Sequence, residues 1–346
     1  MNLYLAERKP LYEGTKTLPA VNTLKLFMAL MVVGIHLPFY GKSYVFDFLR
    51  IAVPVFFMIS GYFLPNNKGQ LSSKRILKAA KKIIMLIVVY NLVYLVWKFI
   101  RKGSISFSPL VAIVDGGGIC EPLWYLTAYV WALACIYLFV KLKLDKLLFL
   151  LIPIGLAINL LMGTYSSLLF DVQPVFITTS WLNRNFFTVA LPCIAIGIAI
   201  RLYQNFLRSN KLTLILTLIF GIGLLCERYF ILNQMTGDAA GDISIFTIPL
   251  SLTVFILAIT NPKPESTISQ WGIRHSTNIY LLHILIYGLL GTIMLALSLP
   301  EQYIGYCIFP ATILFTILVS EIGQRLKIVI LNQCNKFKAF KSASNS

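Results

Sequence analysis

Long apolar runs separated by short polar stretches dominate the chain. A helix needs about 20 mostly apolar residues to cross about 30 Å of hydrocarbon. Runs of that kind predict ten spans, near 22–40, 45–64, 79–100, 122–140, 147–163, 184–203, 211–231, 243–260, 276–297 and 303–320. The fifth carries Pro153, Gly155 and Gly163 and has the weakest pattern. Residues 1–21 are polar and lack the pattern of a cleaved signal peptide, so the first run is expected to be a retained anchor. The expected fold class is all-α: a polytopic integral membrane helical bundle of about ten transmembrane helices. The expected organisation is a cytoplasmic N-terminal segment (1–21), a single membrane domain (22–320) and a basic cytoplasmic tail (321–346), disordered over 336–346. No internal repeat or low-complexity tract breaks this pattern.

Composition supports the membrane reading. Hydrophobic residues make up 58% of the 346 and charged residues 12%, against about a quarter charged in soluble domains. The formal net charge of +17 then needs a separate explanation. With the N-terminus inside, 22 of the 30 basic residues fall in cytoplasmic segments and seven fall at outer ends or loops: Lys42, Arg50, Lys98, Arg101, Lys102, Arg184 and Arg228. Lys25 sits just inside the first span. Several outer loops carry acids instead, namely Asp171, Asp238, Asp242 and Glu301. This asymmetry orients the spans with both termini cytoplasmic and accounts for the charge without nucleic acid. The six cysteines are scattered with no C-x-x-C pair. They read as small buried hydrophobes, with neither a disulfide framework nor a metal site.

Ionisable groups inside a membrane are costly and mark candidate sites. The first span holds Lys25 and His36. Eleven helical residues turn through about three full turns and rise roughly 16 Å, so both side chains share a face. His36 lies towards the outer side, where a histidine suits proton abstraction from a hydroxyl; the alternative is an interhelical hydrogen bond. For Lys25 the alternative is snorkelling to the interface. Ser60 and Gly61, in a span already interrupted by Pro54, read either as a small-residue packing site or as a substrate motif. Arg75 and Lys78 share a helical face beside the second span, where they would either grip a phosphate or orient the chain.

Glu121 stands at the outer face at the expected level of His36, where a carboxylate orients an imidazole. Trp124 reads as an interfacial anchor or a motif residue, and Arg184 as an acceptor or oxyanion ligand or a helix flank. His283, some eight residues into the ninth predicted span, is expected nearer the cytoplasmic side than His36. A direct His–His partnership is therefore not expected, and an interhelical hydrogen bond is. His275 is expected in a cytoplasmic loop.

In order along the chain, these residues resemble the acyltransferase 3 family of membrane acyltransferases over essentially the whole length. The resemblance rests on Lys25 and His36 with ten residues between, FFMISGYF at 56–63, Arg75 with Lys78, PLWYLTAYV at 122–130, NRNFF with Ile196-Gly197, and STNIYLLH at 276–283. Lys78 stands where the family's R-x-x-R pattern has its second Arg, and Glu121-Pro122 where the family often carries a histidine. The resemblance implies transfer of an acyl group, usually acetyl from cytoplasmic acetyl-CoA, to a hydroxyl of a cell-surface or lipid-linked glycan, in a bacterial plasma membrane. Under it, His36 and Glu121 are catalytic and Lys25, Arg75 and Lys78 bind the CoA phosphates. One channel is expected to join both ends, with acyl-CoA as donor substrate and no tightly bound cofactor. The competing function is a transporter or flippase of a glycan or lipid-linked intermediate, which often shows internal repeats and broken helices in corresponding halves.

Overall fold

The computed structural model describes residues 18–39, 41–67, 69–103, 119–166, 184–204, 207, 210–234, 243–298, 300 and 306–326. The N-terminal segment up to residue 17, the outer loop at 104–118, the four outer acids, Cys334, and the predicted basic tail from 327 lie outside them. Helix α1 (Pro19–His36) opens on a proline, whose fixed φ suits a first turn. It stops at His36 because Pro38 excludes Leu37 from the helical region; Leu37 is extended, at φ −100° and ψ 146°.

The second predicted span is two helices, α2 (Lys42–Arg50) and α3 (Ala52–Tyr62). Pro54 has no N–H to give the Arg50 carbonyl, so the ladder breaks there. Helix α4 (Ser73–Lys102) has 30 residues and begins six before the predicted span. Lys74, Arg75, Lys78, Lys81 and Lys82 therefore form its first turns and not a loop, as good helix formers with long apolar stems can.

A tight turn at Glu121–Leu123 leads into α5 (Trp124–Lys141). Helix α6 (Leu147–Asn159) widens into a π-turn over Leu160–Thr164, and a second π-turn over Phe186–Ala190 opens α7 (Leu191–Tyr203). Then follow α8 (Asn210–Gln234), α9 (Thr247–Thr260), α10 (Thr267–Ala296) and α11 (Tyr306–Leu326).

Among the described residues there is no strand, and nine helical segments are long and apolar enough to cross a membrane. The eighth predicted span, 243–260, is helical only over the 14 residues of α9. Its first four residues form a turn because polar groups capture their backbone: Glu227 accepts the Ile245 and Phe246 N–H groups, and Thr247 Oγ1 accepts the Ser244 N–H. At about 1.5 Å per residue α9 is roughly 21 Å long, short of the hydrocarbon thickness. Helix α10 starts nine residues before its predicted span, at a capping box between Ser266 and Ser269.

Helix α1 packs along α10, α3 along α7 and α4 against α5. A Cβ on Gly61 would overlap the Ile194 carbonyl of α7, and one on Gly197 the Met58 carbonyl of α3. This reciprocal contact gives Gly61 a packing role. On α4 and α8, Met85, Leu92, Leu218 and Ile222 point outwards, as lipid-facing rows do. Cys120 and Cys193 are buried as expected, whereas Cys226 and Cys307 are exposed, on apolar outer faces that need no burial in protein.

Candidate functional site

A cavity of about 940 Å³ opens among α1, α3, α4, α5 and α10. Lys25, Arg75, Lys78 and Lys82 line it together with Asn22, and Ser60, Tyr125, Tyr129 and Tyr280 line it further in. Lys25 Nζ donates to Asn22 Oδ1 at 3.4 Å and lies 5.5 Å from the centre of the Phe63 ring. Arg75 donates to the Phe63 carbonyl at 3.0 Å, tying the start of α4 to the end of α3. The three predicted phosphate ligands are thus brought to one cavity. Lys82 belongs with them, a residue the charge pattern had used only for topology.

The second group of residues meets at the other end of α1. Because α1 stops at His36, the imidazole projects from a helix terminus. Lys42 Nζ fixes that terminus by donating to the Ile35 and Leu37 carbonyls at 2.6 and 3.1 Å. His36 Nδ1 is 3.9 Å from Glu121 Oε2, and the other Glu121 oxygen pairs with Arg184. Pro122 helps place Glu121 in the first turn before α5, where a carboxylate also meets the positive end of the helix dipole. The expected His36–Glu121 pairing is therefore present, with Arg184 as its third member.

His283 is also there. Its ring centre is 5.2 Å from that of His36, contrary to the expected separation. The early start of α10 explains the difference: His283 stands 16 residues after Thr267, about 24 Å up the helix, as high as His36 stands in α1. Its hydrogen bonds are within its own helix. Nδ1–H donates to the Tyr280 carbonyl at 2.8 Å, with the Ile279 carbonyl 3.1 Å away. That fixes the neutral tautomer and leaves Nε2 as the lone-pair nitrogen, buried without a hydrogen-bond partner among the described residues. His275 is not in a loop either. It is buried within α10, with Nδ1 2.9 Å from Ser320 Oγ and Nε2 3.7 Å from Glu321, and so joins α10 to α11.

His36 does not line the large cavity. With Arg50, Trp124, Arg184 and Tyr280 it lines a separate pocket of about 40 Å³. Between the two stand three rings in mutual contact: Phe56 and Tyr125 (6.3 Å between centres), Phe56 and Tyr280 (6.1 Å), and Tyr125 and Tyr280 (5.3 Å). Tyr280 faces both spaces, and its hydroxyl donates to the Pro122 carbonyl at 2.6 Å. The expected single channel is thus two chambers with an aromatic partition, formed where aromatic rings from α3, α5 and α10 fill the bundle axis.

Ser60 belongs to the large cavity and donates to the Phe56 carbonyl at 2.9 Å. Cys120, adjacent to Glu121, is buried, and burial pushes its thiol up to about 12.

The helices, among the described residues, form a multi-pass membrane bundle with a cation-lined internal cavity and a histidine–carboxylate pair beyond it. A family model described as an acyltransferase domain, acyltransferase 3, matches residues 18–321, and the chain belongs to that family of membrane acyltransferases. An amino-acid racemase of Enterococcus faecalis is 26% identical over 296 residues, covering 79% of this chain and 41% of that protein. The chain thus spans less than half the length of that relative. No solved structure matches it.

Proposed function

We propose that the protein moves an acyl group, acetyl in the first instance, from cytoplasmic acyl-CoA to a hydroxyl of an extracytoplasmic or lipid-linked glycan in a bacterial plasma membrane. The observation that carries this reading is the pairing of two unlike chambers. One is wide and cation-lined at the end the charge rule assigns to the cytoplasm. The other is small and holds the histidine–carboxylate–arginine cluster.

In this reading Lys25, Arg75, Lys78 and Lys82 hold the CoA phosphates as charge-assisted donors. The pantetheine arm runs inwards past Ser60 and Tyr125, and the thioester reaches His36 once Tyr280 moves aside. Glu121 faces Nδ1 of His36 and holds that nitrogen protonated, which leaves Nε2 to accept the proton of the acceptor hydroxyl. The hydroxyl oxygen bonds to the thioester carbonyl carbon and the carbonyl electrons move onto oxygen. Collapse of this intermediate breaks the C–S bond, and the imidazolium returns its proton to the CoA thiolate.

Incubating the purified chain with labelled acetyl-CoA and glycan-bearing membranes tests the proposal. Transfer of label with release of CoA is expected, and undiminished transfer by His36→Ala would remove the histidine from the role of base. A transporter or flippase would move its substrate and leave acetyl-CoA intact.

A further inference from the structure

The pocket at His36 has a polar side and an apolar side, and the course of the chain puts them at different depths. Helix α1 runs outwards from the end the charge rule assigns to the cytoplasm, so Val32 stands one turn deeper than His36. The chain returns inwards through α2 and α3, and again from Arg184 into α7. Val53 is therefore deeper than Arg50, and Val189 deeper than Arg184. His36, Arg50 and Arg184 thus form a polar rim over a floor of three valines.

That floor is rigid and the space above it is small. Val32 and Val189 are 2% and 1% exposed, and a β-branched side chain on a helix keeps to one rotamer. The backbone leading to Val189 is pinned too. Asn185 Oδ1 accepts the Phe187 and Thr188 N–H groups at 2.7 and 2.9 Å, and Asn159 Nδ2 donates to Thr188 Oγ1 at 3.3 Å. The pocket holds about 40 Å³, and a water-sized group takes up about 10–15 Å³, so about three such groups fit. An acetyl group has three heavy atoms and a propionyl group has four. The cavity on the other side of the partition, at about 940 Å³, sets no such limit.

We infer that Val32, Val53 and Val189 select the acyl group by length, seating the methyl of an acetyl thioester and excluding longer chains. The inference rests on the acyl-transfer reading and names the residues that fix its donor. The thioester carbonyl carbon carries sulfur, oxygen and the first carbon of the acyl chain. With sulfur arriving past Tyr280 and the acceptor hydroxyl at His36, the chain carbon is left to the valine floor. A further carbon there meets side chains that cannot rotate away, and one surplus methylene in an apolar pocket lowers kcat/KM about 10- to 200-fold. Selection falls on transfer and not on capture, because the CoA phosphates are held in the other chamber.

The test uses the full chain in detergent with glycan-bearing membranes and compares acetyl-, propionyl- and butyryl-CoA. All rates come from one preparation, so their ratios do not depend on how much of a variant folds. The unaltered protein is expected to prefer acetyl-CoA over propionyl-CoA about 50-fold in kcat/KM, with the three thioesters bound equally within about twofold. Val189→Ala and Val53→Ala are each expected to lower that preference to about fivefold, and the double variant is expected to transfer butyryl as well. Val32→Ile adds a carbon to the floor and is expected to slow acetyl transfer about tenfold. Equal use of acetyl- and propionyl-CoA by the unaltered protein, unchanged ratios in the alanine variants, or a preference expressed in binding alone would overturn the assignment. Failure of the unaltered protein to consume any of the three thioesters would instead break the acyl-transfer reading, and the assignment with it.

Discussion

The two chambers differ in size and in the balance of charge along their walls. The large cavity gathers four cations, Lys25, Arg75, Lys78 and Lys82, and among the described residues no acid lines it. The pocket around His36 is smaller by more than an order of magnitude, and one of its cations, Arg184, pairs with a carboxylate that also faces the histidine. An unmatched cluster favours a polyanion whatever the stage of reaction. A nearly balanced cluster favours only charge that appears during it. In the proposed reaction the first therefore governs affinity and the second governs rate.

That contrast breaks most sharply at His36. Replacing it with Ala is expected to lower single-turnover transfer about 1,000-fold with acetyl-CoA binding intact. Glu121→Gln is expected to cost about 100-fold in the same rate, because the carboxylate that orients the imidazole is lost while the shape remains. On the other side of the partition the pattern reverses. Arg75→Gln with Lys78→Gln is expected to raise the acetyl-CoA KM about tenfold with little change in kcat, and the effect is expected to shrink as salt screens the phosphates. Tyr280→Ala merges the chambers. It is expected to raise acceptor-free hydrolysis of acetyl-CoA several-fold, on the order of fivefold, because water reaches the thioester once the ring is gone. The smallest effect belongs to Cys120→Ala, expected within about twofold of wild type since burial raises the thiol's pKa and disfavours the thiolate.

Much of this was legible in the sequence. Each apolar run overlaps a helix, although one run is split in two, and intramembrane charge singled out Lys25 and His36. The Glu121 pairing also followed from its expected depth. What escaped was set by local breaks and caps that periodicity does not register. Pro54 splits one span and brings Arg50 inside it, so a residue counted as a topology charge becomes part of the pocket. The Ser266–Ser269 capping box starts α10 early, which lifts His283 to the level of His36 and takes His275 out of its loop. The aromatic partition was hidden for another reason. Phe56, Tyr125 and Tyr280 come from three helices far apart in sequence, and nothing in a single chain's pattern marks them as neighbours.

The central claim is that an acyl group passes from a CoA thioester at the Lys25 end to a hydroxyl at the His36 end. Sealed vesicles of the two orientations, each given labelled acetyl-CoA on the outside only, test it most directly. Labelled glycan ester inside vesicles that expose the Lys25 end, with release of CoA outside and no labelling in the opposite orientation, is the predicted result. Equal labelling from both sides, or passage of glycan across the membrane with acetyl-CoA unconsumed, would contradict it.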